Sequence, residues 1–409
     1  MIEIIGGSII DGEVEISGSK NAALPIICAA LLTKGLVILK NVPEIEDVKV
    51  LLEIIKELNV DIEFNNNVLK INSKNIKYKN LINSNVSKIR ASSYLLSIML
   101  VLFKKVKLAY PGGCSIGQRG LDYHVNSFKA LGASIYEKEY IEGSINLIKE
   151  NSIFFKNKSV GATINTVILA GLSTKIIKIF NYSKEPEVMH TISFLRMIGY
   201  KIYEFKDYLA VAGRKFPSKK YKFKIPFDRI EAISYILLGT KAKSLTIKNI
   251  NIKELAAPLD ILNQMKVKYI LKNNKIIVNK SKLSGVKVEA KPYPAFPTDA
   301  LPLLASCLLD SPDESAVVDN VYPNRINYTK GLLSMQANLK FENNILYIKN
   351  SILYGAVVKG YDLRGVFSLI IAASNAIGKT TILDGEIAFR GYEKLLYKLN
   401  KIGIKAKRI

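Results

Sequence analysis

Cysteine and histidine are scarce in this chain of 409 residues, which contains three cysteines and two histidines. Three cysteines are too few for a fold held together by disulfides. The cysteines and histidines also stand far apart, so the sequence lacks the spacing of a metal site and we expect no metal. Cys28 and Cys307 fall within strongly apolar segments, where we expect buried and unreactive thiols.

Long apolar runs are missing as well. The longest, Tyr94 to Phe103, is about half of the roughly 20 residues that span a bilayer. The first residues, MIEIIGGSIIDGEVEI, carry acidic side chains and lack the basic start of a signal peptide. The sequence has no GxGxxG and no Walker motif, which argues against hydrolysis of nucleoside triphosphates. We therefore expect a cytoplasmic protein without a membrane partner.

Positive charge is in excess, because 59 lysines and arginines face 35 acidic residues, a net charge of +24. Such an excess is compatible with a polyanionic partner, but nucleic-acid binders concentrate their basic residues and interleave exposed aromatics. Here lysine is spread along the whole chain among isoleucine and asparagine. This pattern favours compositional drift and predicts no nucleic-acid partner, although the charge would help gather a small anionic substrate.

An internal repeat is the main feature of organisation. Each unit has an apolar helix, a strand, an amphipathic helix with one apolar stripe, and a further strand. The apolar helices should be buried on most sides, whereas the striped helices should lie at a surface. The units are 64 to 71 residues apart and start near Lys20, Arg90, Gly161, Asp228, Thr298 and Asp362.

Six units are too many for one hydrophobic core, so we predict two domains of three units each. Proline and charge cluster at residues 216–227, which we interpret as the linker. Residues 1–16 precede the first unit, and we expect their strands to pair with the second half of the chain. The predicted domains are residues 19–227 and residues 1–18 together with 228–409.

Two segments combine glycine with reactive or charged residues. SGSKNAALP (17–25) places Lys20 at a helix start, which suits an anion but also fits a simple cap beside a solvated lysine. AYPGGCSIGQRGLDYH (109–124) surrounds Cys114 and Arg119 with glycines. A cysteine in such a loop, near cations, is expected to be reactive, while the alternative is an ordinary connector.

Acidic and basic side chains near helix starts form the other candidates. Asp299, in KPYPAFPTDALPLL (291–304), is interpreted either as a helix cap or as a general base. Four arginines are predicted to open helices. A positive charge there is repelled by the positive end of the helix dipole unless an anionic ligand offsets it. These are Arg90, Arg325, Arg364 and Arg390.

Ten motifs occur in order: GSKNAALP, IRASSYLLS, PGGCSIGQRGLDYH, KSVGATIN, EPEV, DRIEA, YPAFPTDALPLLAS, NRIN, DLRG and RGYEKL. In them the chain resembles the UDP-N-acetylglucosamine 1-carboxyvinyltransferases of the enolpyruvyl transferase family. The resemblance implies an α/β fold, a two-domain inverse α/β barrel of six βαβαββ repeats. It also implies an enzyme that transfers the enolpyruvyl group of phosphoenolpyruvate to the 3′-hydroxyl of UDP-N-acetylglucosamine and releases phosphate. That addition–elimination is the first committed step of peptidoglycan synthesis.

The resemblance further implies residue roles, without a metal or organic cofactor. Cys114 matches a proton donor that forms an adduct with phosphoenolpyruvate and that fosfomycin would alkylate. Asp299 matches the base beside the accepting hydroxyl, and Arg325 and Arg364 match supporting charges. The phosphoenolpyruvate contacts match Lys20, Asn21, Arg119 and Arg390, of which Lys20 and Arg390 are also catalytic. The nucleotide-sugar contacts match Arg90, Arg119, Gly120, Leu121, Asp122, Tyr123, Ser159, Val160 and Val321.

Four positions depart from the family pattern. Gly120 replaces a usual proline, Asn157 a usual lysine and Glu46 a commonly basic residue, while Phe227 is an apparent insertion before Asp228. These departures bear on affinity for the nucleotide more than on the chemistry.

Three alternatives remain. One is 5-enolpyruvylshikimate-3-phosphate synthase, which does not use the cysteine of the PGGC loop. Another is a transferase that acts on a different nucleotide sugar. The third is a basic protein without activity that binds nucleic acid or a partner protein, and it predicts binding that weakens steeply with salt.

Overall fold

A computed structural model of the protein describes residues 1–112, 120–149, 151–215 and 220–409. Within these residues the helices are α1 (Lys20–Ala30), α2 (Glu46–Lys56), α3 (Ser84–Lys88), α4 (Tyr94–Phe103), α5 (Asp122–Ala130), α6 (Val160–Ala170), α7 (Pro186–Met197), α8 (Arg229–Gly239), α9 (Ala256–Gln264), α10 (Leu301–Leu308), α11 (Tyr328–Ser334), α12 (Leu363–Asn375) and α13 (Leu395–Lys401). Short 3₁₀ segments cover Leu31–Thr33, Arg90–Ser93, Ile252–Leu255, Thr298–Ala300 and Gly385–Arg390.

The strands are short, mostly four or five residues. In chain order they are β1 (Ile2–Ile5), β2 (Asp11–Glu15), β3 (Leu36–Lys40), β4 (Asp61–Asn65), β5 (Val68–Asn72), β6 (Lys105–Leu108), β7 (Ser134–Glu137), β8 (Ile141–Ser144), β9 (Ser152–Phe154), β10 (Ile177–Phe180), β11 (Tyr200–Glu204), β12 (Tyr208–Arg214), β13 (Tyr221–Lys224), β14 (Ser244–Lys248), β15 (Lys268–Lys272), β16 (Lys275–Asn279), β17 (Lys287–Ala290), β18 (Ser315–Asp319), β19 (Asn338–Glu342), β20 (Ile345–Lys349), β21 (Val357–Lys359), β22 (Lys379–Leu383) and β23 (Lys405–Arg408).

The described residues divide into two compact units, each with its own hydrophobic core. The terminal unit comprises Met1–Ser17 and Phe227–Ile409. The central unit comprises the described residues of 18–226.

The sheets of both units share one topology. Those of the terminal unit have the orders β15-β16-β14-β2, β17-β18-β20-β19 and β21-β22-β1-β23, and those of the central unit β13-β3-β5-β4, β11-β12-β10-β9 and β6-β8-β7. In each four-stranded sheet one edge strand pairs in parallel and the other pairs are antiparallel. In the three-stranded sheet, a parallel bridge between Leu81 and Leu108 takes the place of the parallel edge strand. With their helices, these sheets form the six βαβαββ repeats that the resemblance implies.

Strands remote in sequence complete repeats in the terminal unit. Strand β1 lies between β22 and β23, with Ile2 opposite Ile382 and Arg408. Strand β2 runs parallel to β14, where Val14 faces Ile247. The expected pairing of residues 1–16 with the second half of the chain is therefore confirmed.

The predicted linker is wrong over Tyr221–Lys224, which forms β13 parallel to β3. Tyr221 is buried while Lys222 and Lys224 are exposed, the alternation of a strand with one buried face. The exposed lysines of this edge strand are also typical of a charged linker, which is why the sequence pattern was misinterpreted. Residues 216–219 lie outside the described part of the chain.

Backbone hydrogen bonds join the chain ends of each unit. In the central unit the Ser19 N–H donates to the Pro226 carbonyl at 2.7 Å. In the terminal unit the Asp228 N–H donates to the Ser17 carbonyl at 2.9 Å. Each unit is thus closed at the point where the chain leaves it.

The first helix of each repeat is largely buried, as its apolar sequence predicts. Every residue of α8 is buried, and so is α1 from Ala22 to Ala30. The second helices are amphipathic, because α2 buries Val48, Leu51 and Ile55 along one stripe. Among the described residues, no helix has both the length and the apolar character needed to cross a bilayer.

Candidate active site

Asp299 lies in the 3₁₀ segment that leads into α10 of the terminal unit. Ala300, not Asp299, is the N-cap residue of α10, so the interpretation of Asp299 as a simple cap is wrong. The Asp299 side chain is 26% exposed. The carboxylate is therefore held by the fold at a point that solvent or a ligand can reach.

Arg325 holds this carboxylate directly. Its Nη1 donates to Asp299 Oδ1 at 2.7 Å, and the arginine side chain is only 5% exposed. On its other side, Arg325 Nε lies 3.8 Å from Oδ1 of the buried Asp362. Because the guanidinium is planar and contacts two carboxylates, it fixes the position of Asp299.

Arg364, the second residue of α12, approaches Asp299 from another direction. Its Nε lies 3.6 Å from Asp299 Oδ2, and the side chain is 1% exposed. The guanidinium carbon stands 5.0 Å from the centre of the Tyr392 ring. Burial alone would lower the pKa of Arg364, but Tyr392, Asp299 and Asp228 outweigh it and raise this pKa. Arg364 Nη1 is buried and makes no hydrogen bond within the described part of the chain.

Buried aspartates cap two helices beside these arginines. Asp362 Oδ1 accepts hydrogen bonds from the N–H groups of Arg364 and Gly365 at the start of α12. Asp228 caps α8 in the same way, through the N–H groups of Ile230 and Glu231. The Asp362 cap fixes the start of α12 and thereby the backbone position of Arg364, which contacts Asp299.

Lys20 is the first residue of α1 in the central unit. Ser19 caps this helix, since its Oγ accepts from the Ala22 N–H at 3.2 Å. Lys20 Nζ lies 2.6 Å from Asp47 Oδ2, and its side chain is 14% exposed. The alternative of a solvated lysine is therefore wrong, and Asp47 is a partner that sequence reasoning missed. Asn21 is half-buried beside it.

Segments predicted to contact a nucleotide sugar meet in the central unit. Arg90 begins a 3₁₀ segment, and its Nη2 donates to the Gly120 carbonyl at 2.9 Å. Tyr123, in the first turn of α5, accepts a hydrogen bond from Asn157 Nδ2 at 2.9 Å. Ser159 caps α6 two residues later, with its Oγ accepting from the Ala162 N–H.

His124 is a further buried group next to these segments. It is 5% exposed, and neither ring nitrogen makes a hydrogen bond with another described residue. Burial and the charge of Arg90 lower the pKa of His124 to about 3. The imidazole is therefore neutral near pH 7, and the sequence predicts no role for it.

The other predicted residues differ in exposure. Leu121 is buried, Asp122 is exposed, and Val160, Val321 and Arg390 are half-buried. Glu46 is exposed and pairs with Lys49 at 3.0 Å.

The prediction that Arg325 and Arg390 open helices is wrong, because Arg325 precedes α11 in a turn and Arg390 ends a 3₁₀ segment. Cys114 and Arg119 lie outside the described residues.

The other two cysteines are buried, as predicted. Cys28 and Cys307 are both 0% exposed. Burial raises the pKa of both thiols, that of Cys307 to about 11. In the part of the chain that the structure describes, no cluster of three or more histidine, cysteine or acidic side chains is arranged to hold a metal ion.

The sequence profile of the EPSP synthase (3-phosphoshikimate 1-carboxyvinyltransferase) family matches residues 4–399. The chain belongs to this family of carboxyvinyltransferases. This membership confirms the resemblance to the enolpyruvyl transferases.

Relatives within the carboxyvinyltransferases align along nearly the whole chain. UDP-N-acetylglucosamine 1-carboxyvinyltransferase 2 of Staphylococcus epidermidis is 35% identical over 409 residues, covering 98% of this chain and 97% of its own length. UDP-N-acetylglucosamine 1-carboxyvinyltransferase of Prochlorococcus marinus is 34% identical over 416 residues, covering 100% and 91%. The crystal structure of the enolpyruvyl transferase NikO from Streptomyces tendae superimposes with a TM-score of 0.91 at 20% identity, over 99% and 98% of the two chains. That likeness confirms the carboxyvinyltransferase fold, the two-domain inverse α/β barrel.

Proposed function

We propose that this chain transfers the enolpyruvyl group of phosphoenolpyruvate to the 3′-hydroxyl of UDP-N-acetylglucosamine, with release of phosphate. One observation carries the proposal: two relatives named for this acceptor align with almost every residue of the chain at 34% and 35% identity. The reaction supplies the first committed intermediate of peptidoglycan synthesis.

The reaction needs an acid, a base and several cations. In the addition step a proton reaches C3 of phosphoenolpyruvate, the 3′-oxygen bonds to C2, and the hydroxyl proton passes to a base. The tetrahedral adduct then loses a proton from C3 while the bond between C2 and the phosphate oxygen breaks. This elimination restores the double bond and releases phosphate.

Asp299 is our candidate for the base. Its partial exposure allows the acceptor hydroxyl to reach it, and Arg325 fixes one carboxylate oxygen at 2.7 Å. A fixed carboxylate can take the hydroxyl proton without first being oriented, which is the main requirement of a positioned base. Arg364 adds a second positive charge beside the same carboxylate, 3.6 Å from Oδ2.

Cationic side chains are our candidates for binding phosphoenolpyruvate, which carries a phosphate and a carboxylate. Positive donors bind both groups and stabilise the charge that develops on the departing phosphate. Arg364 is only 1% exposed, so its contribution is the positive charge that it places beside Asp299. The residues assigned to phosphoenolpyruvate are Lys20, Asn21, Arg119 and Arg390, with Arg325 and Arg364 as supporting charges.

Cys114 is our candidate for the acid that protonates C3, and the site of fosfomycin alkylation. The described cysteines cannot take this role, because Cys28 and Cys307 are both 0% exposed. A loop of glycines and cations around Cys114 would give its thiol access to the substrate.

The start of α6 and the segment before α5 are our candidates for binding the nucleotide sugar. The N–H groups of a helix start suit a diphosphate, and Arg90 adds positive charge close to Gly120. The residues assigned to this ligand are Arg90, Arg119, Gly120, Leu121, Asp122, Tyr123, Ser159, Val160 and Val321, together with Asp299.

The proposal extends to the domains and to the location of the reaction. Residues 19–227 form one domain, and residues 1–18 with 228–409 form the other, a division that the two compact units support. Because phosphoenolpyruvate is a cytoplasmic metabolite, we place the reaction in the cytoplasm.

Transfer to shikimate 3-phosphate is the second candidate, and the description of the matching family favours it. The names of the two relatives and the cysteine in the PGGC segment support the nucleotide sugar instead. Purified protein with phosphoenolpyruvate should release phosphate when UDP-N-acetylglucosamine is added, and not with shikimate 3-phosphate. Equal release with both acceptors, or release with shikimate 3-phosphate alone, would overturn the proposal.

A further inference from the structure

A buried carboxylate holds Lys20. The Nζ atom lies 2.6 Å from Asp47 Oδ2, and the two side chains are 14% and 7% exposed. Away from water such an attraction is less screened than between surface charges. Lys20 therefore has one preferred position, whereas an exposed lysine samples many rotamers.

The fold explains why Asp47 is there. It is the second residue of α2, where a carboxylate is favoured by the positive end of the helix dipole. Helices α1 and α2 belong to the same repeat, and Lys20 is the first residue of α1. The ion pair thus joins the first turns of the two helices of one repeat.

The same place holds a buried ionisable residue in each repeat of the central unit. Asp47, His124 and Glu187 each lie in the first turn of the second helix, and each is 5% exposed. Each directly precedes a buried valine, namely Val48, Val125 and Val188. The repeat turns this position inward, and in the first repeat the residue there contacts a lysine that the proposed function uses.

We propose that Asp47 is a positioning residue, which fixes Lys20 Nζ where it binds phosphoenolpyruvate and acts only through Lys20. This inference rests on the proposed function, which assigns Lys20 to that substrate. The ammonium group has three N–H donors. One of them can bond to Asp47 while the others face the substrate anion, so the pair binds an anion without first ordering the lysine.

A purely structural role for Asp47 makes a different prediction. If the ion pair only joined α1 to α2, its loss would lower the melting temperature and impair binding of both substrates together. A positioning role affects phosphoenolpyruvate selectively.

The first experiment compares Asp47→Asn with Glu46→Gln. Both variants lose one negative charge from the first turn of α2, but Glu46 is 54% exposed and pairs with Lys49. We expect Asp47→Asn to raise the KM for phosphoenolpyruvate by about tenfold, with the KM for UDP-N-acetylglucosamine unchanged. Glu46→Gln should keep the wild-type KM for phosphoenolpyruvate. Equal effects on both KM values, or none on either, would overturn the inference.

The second experiment is a double-mutant cycle with Lys20→Met. If Asp47 acts only through Lys20, Asp47→Asn should change kcat/KM for phosphoenolpyruvate by less than about twofold in the Lys20→Met background. Multiplicative losses would contradict this. Asp47→Glu, which keeps the charge but shifts it, should give an intermediate KM and serves where Asp47→Asn does not fold.

Calorimetric titration with phosphoenolpyruvate separates this inference from the proposed function. If wild type releases no phosphate with UDP-N-acetylglucosamine, the proposed function fails. The inference then still requires weaker phosphoenolpyruvate binding in Asp47→Asn than in Glu46→Gln. Equal affinities of these two variants would refute it whatever the acceptor.

Discussion

Arg325 Nη1 lies 2.7 Å from Asp299 Oδ1, and the arginine is 5% exposed while the aspartate is 26% exposed. A buried cation therefore holds a carboxylate that remains accessible. Arg325 also faces Asp362, the cap of α12, at 3.8 Å. This geometry links the position of the proposed base to the start of a buried helix.

Arg325→Lys should lower kcat, because an ammonium group cannot reproduce a planar contact with both Asp299 and Asp362. A shift of the base by about 1 Å is enough to lower the rate by on the order of a hundredfold. The measurement is phosphate release at saturating substrates. Arg408→Lys is the control, since Arg408 is 66% exposed, and it should behave as wild type. An Arg325→Lys variant with the wild-type kcat would show that Asp299 does not need this contact.

Fosfomycin should alkylate Cys114 and spare the other two cysteines. Cys28 and Cys307 are 0% exposed, and burial raises the pKa of both thiols, so neither is available as a thiolate. Peptide mass spectrometry after incubation with the folded protein measures the outcome. As a control, iodoacetamide in denaturant should label all three cysteines. Modification of Cys28 in the folded protein would contradict the burial.

His124 should make the protein less stable in mild acid. The pKa of His124 is about 3 in the folded chain, lowered by burial and Arg90 from an ordinary 6.5. Between these values the unfolded chain binds a proton and the folded chain does not. The free energy of unfolding is therefore not reduced by His124 above pH 6.5, and it decreases as the pH falls from 6.5 toward 3.

The His124→Gln variant tests this dependence. Between pH 7 and pH 5, the free energy of unfolding should fall by about 2 kcal/mol more in wild type than in the variant. Urea unfolding at the two pH values measures it. Parallel pH profiles for wild type and His124→Gln would contradict the prediction.

Lys398→Met should destabilise the terminal unit by leaving Glu231 without its cation. Lys398 Nζ lies 2.6 Å from Glu231 Oε1, with the side chains 11% and 1% exposed. Burial raises the pKa of Glu231, and the charge of Lys398 offsets part of this rise. Removing one partner of a buried pair costs about 3–5 kcal/mol, measured as the free energy of unfolding in urea.

A double variant and a surface pair serve as controls for that measurement. Lys398→Met with Glu231→Gln should recover part of the loss, because no buried charge is then left alone. Lys70→Met breaks an exposed pair with Glu63, whose side chains are 45% and 59% exposed, and should cost less than about 1 kcal/mol. Equal losses at Lys398 and Lys70 would show that burial does not strengthen the first pair.

The repeats could be predicted because each carries a strong local signal. An apolar helix followed by a striped helix recurs six times, and burial in the structure follows that pattern. Strand β13 could not be recognised, since its alternation spans only Tyr221–Lys224 and exposes lysine on the outer face. Pairing with β3, far along the chain, is what makes it a strand.

Individual site residues were recognisable by resemblance, but their contacts were not. Asp47 is 27 positions from Lys20, and no local pattern links the two. The capping of α12 by Asp362 could be expected from the DLRG segment, yet the approach of Arg364 to Asp299 depends on how α12 and α10 pack. Packing between remote segments, rather than propensity, decides which charges meet.

The most direct test of the proposed transfer is the structure of the product formed from phosphoenolpyruvate and UDP-N-acetylglucosamine, determined by NMR and mass spectrometry. We expect an enolpyruvyl ether on the 3′-oxygen of the sugar and one phosphate released for each product molecule. An acceptor recovered unchanged, or an enolpyruvyl group found on shikimate 3-phosphate when both acceptors compete, would contradict it.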